Sequence, residues 1–374
     1  MRLIAMENPF NYSGIVTDEA FCNRETELKE LIKYVRDSQN VLLYSHRRFG
    51  KTSLIFKVFE RLQKQKPKID ALYVDLFGTL SERDFVAELL ASLGQIEGRI
   101  EKLVTMVRNT IRNVKFGFGV DPLSGKPDVS ISFEAGYVES YLNNVMEFLE
   151  KLSRKRRLVL VFDEFQEIAF YGIVGFEKRL RKHIQRHANI SYIFCGSQRH
   201  IMSEMFNDQN RALYKQALDY PLGKIATKDY LSWAEGLFLK KNVKIELNLI
   251  EEVVSRCDNH PIYVQQFLYH LWDAAEPAFD ELDEVEATIL RKNNNQYLTL
   301  WESLTLNQKK TLKLVIATGG KKIFHAAAIH AADLQSSAQV IRALESLIAK
   351  DLVTKNGEYR IQDAMFKKWV QALL

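Results

Sequence analysis

Eight consecutive residues, Ser45-His46-Arg47-Arg48-Phe49-Gly50-Lys51-Thr52, carry the clearest chemistry in this 374-residue chain. Lys51 offers a fixed positive charge, and Thr52 a hydroxyl that can ligate a divalent cation. Gly50 lets the backbone approach a ligand where a Cβ would obstruct it. The apolar run Val41-Leu42-Leu43-Tyr44 before the loop reads as a buried strand, and Ser53-Leu54-Ile55 continues into an apolar-periodic helix. A helix N-terminus presents unpaired N–H groups and partial positive charge, which suits phosphate. The spacing is G-x-x-x-x-G-K-[ST], with Ser45 in the place of the first glycine. Nucleotide contacts are expected from Ser45, Arg47, Arg48, Phe49, Gly50, Lys51, Thr52 and Ser53, with Thr52 also on the metal.

More than a hundred residues downstream, Leu158-Val159-Leu160-Val161-Phe162 ends in Asp163 and Glu164. Two carboxylates closing a buried strand complete a phosphate-hydrolysing site. Asp163 would hold Mg2+ through its water shell, and Glu164 would polarise the attacking water. Residues 190–197 read as a third parallel strand that ends in small polar residues. In ATPases of this motif order that strand carries a polar side chain near the γ-phosphate, so Ser197 or Gln198 is expected there. Arg199 and Arg211 are candidate arginine fingers, acting within the chain or on a second copy; a surface salt bridge is the plainer role for each. Arg179, Arg181, Lys182, Arg186 and His187 share a predicted helix and read as a charged surface or subunit face. Asp75 closes the apolar strand 71–76 and serves either chemistry at a strand end or a local cap.

Strands and helices must hold these groups in place. An amphipathic helix with Leu28, Leu31, Ile32 and Val35 on one face leads into the loop strand. Residues 84–113 are predicted helical, and residues 114–134 alternate around a turn as a β-hairpin inserted in the core. The basic cluster Arg154-Lys155-Arg156-Arg157 reads as a solvated helix end or a nucleic-acid contact. Hydrophobic content of 47% and charged content of 26% are those of a globular protein with ample core. No apolar run approaches the roughly 20 residues needed to cross a bilayer, and residues 1–9 lack a signal-peptide layout. Three widely spaced cysteines, Cys22, Cys195 and Cys257, form no disulfide framework or metal-spacing pair, so a cytoplasmic setting is expected.

The net charge of +5 is unevenly spread: residues 305–374 hold eleven Lys/Arg against five Asp/Glu, leaving 41 against 42 elsewhere. An anionic partner is therefore hinted at the C-terminal end. Helical spacing recurs at 229–240, 248–257, 261–272 and 280–293, which suits a lid over a bound base. Thr305 and Ser336 then cap predicted helices, a further helix lies at 324–332, and Asn356-Gly357 turns a hairpin. Three helices and a hairpin make a winged helix. Its third helix turns Gln335, Gln339, Arg342, Glu345 and Ser346 outward, with Lys355, Arg360, Lys321 and Lys322 nearby. Contact with DNA or RNA, docking of a protein, and a purely structural wing all fit that surface.

Several of these stretches resemble one family. Phe162-Asp163-Glu164-Phe165-Gln166 is similar to the Asp-Glu-Phe-Gln signature of the archaeal-type ATPases, a branch of the AAA+/STAND-like P-loop ATPases related to origin-recognition initiators. Residues 21–28 resemble its F-x-G-R-E-x-E-L opening, with Asn23 for the glycine. Residues 45–54 resemble its R-R-x-G-K-T-S-L loop, Gly196-Ser197 its sensor strand end, and Arg211-Ala212-Leu213-Tyr214 the element after it. Residues 260–265 resemble its G-x-P-Y-Y-x-Q element without the glycine, which implies that Pro261 lies near the adenine.

The resemblance implies an α/β P-loop NTPase core with a parallel sheet, a helical lid and a C-terminal winged-helix domain, divided as 1–222, 223–296 and 297–374. It implies ATP as nucleotide, with Mg2+. The expected activity is an ATP-hydrolysing switch that repositions the winged helix on a DNA or protein partner. The alternative is a nucleotide-stabilised binding module with slow or incidental turnover. Other copies of the chain are a further expected partner.

Overall fold

A computed structural model describes residues 7–16, 18–93, 114–120, 127–133, 138–274 and 276–373. The chain divides into two compact units: one of Glu25–Ser45 and Leu54–Leu222, the other of Met1–Arg24, His46–Ser53 and Gly223–Leu374.

In the first unit, α1 (Glu25–Arg36) buries Leu28, Leu31 and Val35, and its acidic first turn and basic last turn complement the helix dipole. It leads to β1 (Val41–Tyr44), buried throughout. Helix α2 (Lys51–Gln63) opens within the phosphate-loop motif and is followed by β2 (Ile69–Asp75). Helix α3 (Glu82–Ser92) is capped by Ser81, whose hydroxyl accepts from the Asp84 N–H. The rest of the helix expected over 84–113 lies outside the described residues, as does the turn of the hairpin. Its arms, β3 (Val114–Val120) and β4 (Pro127–Phe133), pair antiparallel in register Val114↔Phe133 to Val120↔Pro127. Then follow α4 (Val138–Ser153), β5 (Arg157–Asp163), a short 3-10 turn (Phe165–Phe170), α5 (Phe176–Ile184), β6 (Ile190–Gly196), α6 (Arg199–Asn207) and β7 (Leu218–Pro221).

The sheet has five parallel strands in the order β2-β5-β6-β1-β7. Its inner strands are continuous apolar runs because both faces are covered. Register places Asp75 beside Asp163, Phe162 beside Phe194, and Tyr44 beside Gly196. The C-terminal ends of β2, β5, β6 and β1 therefore share one edge. One strand is added and one expectation changes. Strand β7 has no apolar run to announce it; it is a mostly exposed edge that closes on Pro221, a residue edges tolerate. The cationic set is neither one helix nor a plain surface, since α5 stops at Ile184, short of Arg186 and His187. His187 is buried with its ring stacked on Tyr192, and Arg179 pairs with the buried Glu82.

In the second unit, Phe10 is buried against Trp233, Phe238 and Trp272, ring centroids 5.2, 5.5 and 5.6 Å away. Helices α7 (Thr227–Lys240), α8 (Leu247–Arg256), α9 (Pro261–Leu271) and α10 (Glu281–Glu302) follow. The last extends well past the expected Asn293. Next come α11 (Leu306–Ala317), α12 (Ala326–Ala331), α13 (Ser337–Ala349), β8 (Val353–Asn356), β9 (Glu358–Ile361) and α14 (Ala364–Gln371).

Thr305 and Gln308 form a full capping box on α11, and Ser336 caps α13. Gly357 turns the wing at φ +75°. One expectation for the wing is corrected, and two features are added to it. Helix α14, which follows it, was not expected. Ser346 does not join the outward face of α13, because its Oγ accepts from Gln308 Nε2 at 2.8 Å. Lys321 and Arg360 both pair with Glu358, at 3.2 and 3.3 Å.

Candidate active site

At the shared strand edge of the sheet, Glu164 follows β5 in a left-handed conformation, φ +48° and ψ +42°. That conformation turns the chain sharply between β5 and the 3-10 turn that follows. Glu164 donates its own N–H to Asp163 Oδ1 at 3.0 Å, and the Tyr73 hydroxyl donates to Asp163 Oδ2 at 2.5 Å. Burial, and then the negative charge of Asp163, push the Tyr73 hydroxyl well above its ordinary range, so it stays protonated as the donor.

Glu164 Oε2 accepts twice, from Ser197 Oγ at 2.8 Å and from Gln166 Nε2. Ser197 and Gln166 are each 1% exposed, so both donors are fixed by packing. Gly196 makes room for Gln166: a Cβ there would stand 2.6 Å from Gln166 Oε1 and from Met202 Sδ. Asp75, across from Asp163, has its carboxyl raised above the usual range, by desolvation first. Donation from the Phe77 N–H opposes that rise, while the charges of Asp163 and Glu164 add to it.

The structure thus brings Asp163, Glu164 and Ser197 together, with Asp75 in register at the same edge. Of the two sensor candidates, Ser197 touches Glu164, while Gln198 precedes α6 without a side-chain cap bond. Arg199 opens α6 with its guanidinium 5.6 Å over the Tyr44 ring. Arg211 is gripped by Glu177 at 2.5 Å and Glu204 at 2.7 Å. Ser45 is buried directly after β1 and keeps a negative φ, so its backbone has no need of the usual glycine.

In the other unit, residues 46–53 form the loop itself. Gly50 takes φ +84° and Arg48 φ +62°, turning the backbone into the first turn of α2. Lys51 is 7% exposed, with Nζ 3.4 Å from the His46 carbonyl that accepts from it. Arg47 and Arg48 are exposed, and Thr52 is half-buried. Ser53 Oγ accepts from the Val16 N–H at 2.9 Å. Arg24 braces the loop from outside the motif, donating to the carbonyls of Phe49 at 3.3 Å and Gly223 at 2.8 Å.

Phe49 is buried with its ring edge-on to His260, centroids 4.8 Å apart. His260 precedes Pro261, the first residue of α9, and its ring lies 4.9 Å from that of Tyr263. Burial drops the His260 pKa to about 3, helped by the positive charges of His46, Arg48 and Lys224. The Tyr263 hydroxyl donates to Asp363 Oδ2 at 2.6 Å and lies 3.0 Å from the Tyr297 hydroxyl. Asp363 caps α14, accepting from the Phe366 N–H at 2.8 Å. Burial raises its carboxyl pKa in spite of those hydrogen bonds.

Sequence reasoning missed Tyr73, His260 as a ring contact, and the Tyr263–Asp363 bond. Gln166 and Arg24 stood in recognised motifs without a role. Asn23 and Asn259 occupy glycine positions of the family pattern and take φ +42° and +55°. Asparagine is among the few side-chain residues that tolerate this region.

Asp163, its carboxylate held at both oxygens, is the kind of donor Mg2+ takes, one or two protein oxygens beside phosphate and water. In the other unit, Thr52 carries a hydroxyl at the start of α2. Among the described residues no group of three or more His, Cys, Asp or Glu could hold a metal alone.

A parallel sheet with these motifs at its strand ends, a helical region and a winged helix define a P-loop ATPase fold. A family model described as "ATPase domain predominantly from Archaea" matches residues 21–267, and one described as "Probable winged helix domain" matches residues 295–372. The chain belongs to this archaeal-type ATPase family and is a nucleotide-binding ATPase. Among solved structures it is similar to a Walker-type ATPase of Pyrococcus abyssi, at 17% identity and TM-score 0.66, covering 97% of this chain and 99% of that one. It is also similar to the ORC2 protein of Aeropyrum pernix, solved as ADPNP–ADP complexes, at 13% identity and TM-score 0.59, covering 98% of each. No curated protein matches the chain. No described helix is long and apolar enough to cross a membrane.

Proposed function

We propose that this ATPase is a switch that passes nucleotide state from the 46–53 loop to the winged helix. The observation that carries this reading is the run of contacts Phe49–His260–Tyr263–Asp363. It leads from the loop, through the start of α9, to the residue that caps α14.

In this reading Lys51 and the loop N–H groups bind the β- and γ-phosphates of ATP, with Ser45, Arg47, Arg48, Phe49, Gly50, Ser53 and Pro261 completing the nucleotide contacts. Thr52 and Asp163 hold Mg2+, which neutralises phosphate charge when bound. Glu164 orients the attacking water, Ser197 reports on the γ-phosphate, and Arg199 or Arg211 supplies charge to it. The working division is a core of residues 1–222, a lid of 223–296 and a winged helix of 297–374. The three cysteines are buried and widely spaced, with no disulfide framework, which supports a cytoplasmic setting.

Replacing Glu164 by Gln tests the switch. Turnover should collapse while ATP binding survives, and the partner should be trapped on the winged helix. A DNA partner would draw on Gln335, Arg342, Lys322 and Lys355, and its binding should weaken steeply with salt. Binding indifferent to salt points to a protein surface or a second copy.

Two observations favour a second reading, a nucleotide-stabilised binding module with slow turnover. Glu164 Oε2 already accepts from two buried donors, and Arg211 is held by two carboxylates. In that case Glu164→Gln leaves partner binding nearly unchanged.

A further inference from the structure

We propose that Tyr73 is a positioning residue for the metal-holding carboxylate, joining the orientation of Asp163 to the phosphate-loop helix. The proposal rests on the ATPase reading above. Tyr73 lies on β2 beside Val161, two residues before the Asp75–Asp163 pair. Side chains two apart on a strand share a face, so Tyr73 and Asp163 project from the same side of the sheet. The hydroxyl reaches forward to Asp163 Oδ2 at 2.5 Å. The ring packs on Phe56, centroids 5.1 Å apart and planes at 43°. Phe56 sits on α2 one helical turn beyond Thr52.

Packing does not explain the hydroxyl. Phenylalanine would fill nearly the same volume and keep the ring contact. It would remove a charge-assisted hydrogen bond from a carboxylate that is only 6% exposed. With the Glu164 N–H on Oδ1 and the Tyr73 hydroxyl on Oδ2, both oxygens are restrained. The carboxylate is then preset for a hydrated cation before one arrives, and binding the cation costs less ordering. Tyr73 itself touches no reacting atom in this scheme; it acts through Asp163.

The test uses the full chain carrying Tyr73→Phe. Calorimetry follows ATP binding with Mg2+ and with EDTA, and spin resonance follows Mn2+ binding to the ATP complex. Half-saturating metal, for Mn2+ binding and for turnover, is expected to rise roughly tenfold, in line with loss of one charge-assisted bond. ATP affinity in EDTA should stay within about twofold of wild type. Unchanged metal affinity overturns the proposal, whatever happens to thermal stability. So does an equal loss of ATP affinity with and without metal, which would make Tyr73 a packing residue. Phe56→Leu keeps the hydroxyl and loosens the ring; it should move the metal dependence the same way by a smaller factor, and no movement counts against the proposal if Tyr73→Phe does not fold. Wild-type protein that binds no ATP at all removes the ATPase reading instead, so the two failures are distinct.

Discussion

The ring of Phe49 meets the ring of His260 edge-on, at 82° and 4.8 Å between centroids. The first belongs to the loop that carries Lys51, the second precedes Pro261 at the head of α9. An edge-to-face pair of this kind adds about 0.5–1.5 kcal/mol beyond the area it buries. Because His260 also touches Tyr263, His260→Ala removes two ring contacts and leaves a void. We expect a loss of about 2–4 kcal/mol, in the range of large-to-small core changes. ATP affinity should fall with it, since Phe49 loses its backing. Calorimetric melting and ATP titration check both; a lower Tm with unchanged ATP affinity would confine the contact to stability.

Acid should loosen the sheet unit through His187. Burial pulls its pKa down to about 4, with the charge of His183 next, while Glu150 and a hydrogen bond with the Met146 backbone push the other way. Its Nδ1 faces the Tyr192 hydroxyl. The unfolded histidine titrates near 6.5, so between pH 6.5 and 4 the unfolded chain binds a proton that the native one refuses. Stability therefore rises with pH through this window and is lost as pH falls, at up to about 1.4 kcal/mol per pH unit. His187→Gln should lower stability at pH 8 yet flatten its decline between pH 6.5 and 4.5. Denaturant unfolding at several pH values decides; parallel curves for the two proteins would exclude His187 as the source.

Ser197 and Gln166 share one oxygen of Glu164, and Gly196 leaves room for Gln166. Ser197→Ala removes one donor without changing the backbone, and turnover is expected to fall about tenfold to a hundredfold with ATP affinity intact. Gly196→Ala should act through Gln166. Its Cβ meets flexible side-chain atoms of Gln166 and Met202 rather than backbone, so the fold survives while Gln166 is pushed from Glu164. Steady-state turnover alongside ATP titration separates the effects. Equal loss of binding and turnover in both variants would refute a role centred on Glu164.

What the sequence disclosed, and what it hid, follows from range. The phosphate loop and the Asp163–Glu164 strand end are local patterns, and buried strands such as β5 are continuous apolar runs, so both were legible. The winged helix was legible through its caps: Thr305 and Ser336 sit where capping needs them. Helix α14 carried a signal that was passed over, with Asp363 as cap and Met365, Phe366, Trp369 and Val370 buried along it. Tyr73–Asp163 and Tyr263–Asp363 were not legible, because those partners lie 90 and 100 residues apart. Only strand register and helix packing bring them together. Asn23 and Asn259 mark the opposite case, where a changed residue type hides an unchanged backbone requirement.

Two glycines of the winged helix should respond differently to the same added methyl group. Gly320 follows α11 at φ +77°, and a Cβ there would lie 1.8 Å from the Tyr359 carbonyl oxygen. That atom is backbone of β9, and the Gly320 carbonyl accepts from the Tyr359 N–H at 3.3 Å. Neither side can yield without parting the wing from α11. Gly357, at the wing tip, has φ +75° but open space around its Cβ position. Gly357→Ala therefore meets only the left-handed penalty of about 1 kcal/mol, whereas Gly320→Ala adds a backbone clash and is expected to cost about 3 kcal/mol or more. Denaturant unfolding of the two full-length variants measures the difference. Similar losses for both would mean that the wing swings clear of α11 at little cost, and that Tyr359 does not fix its position.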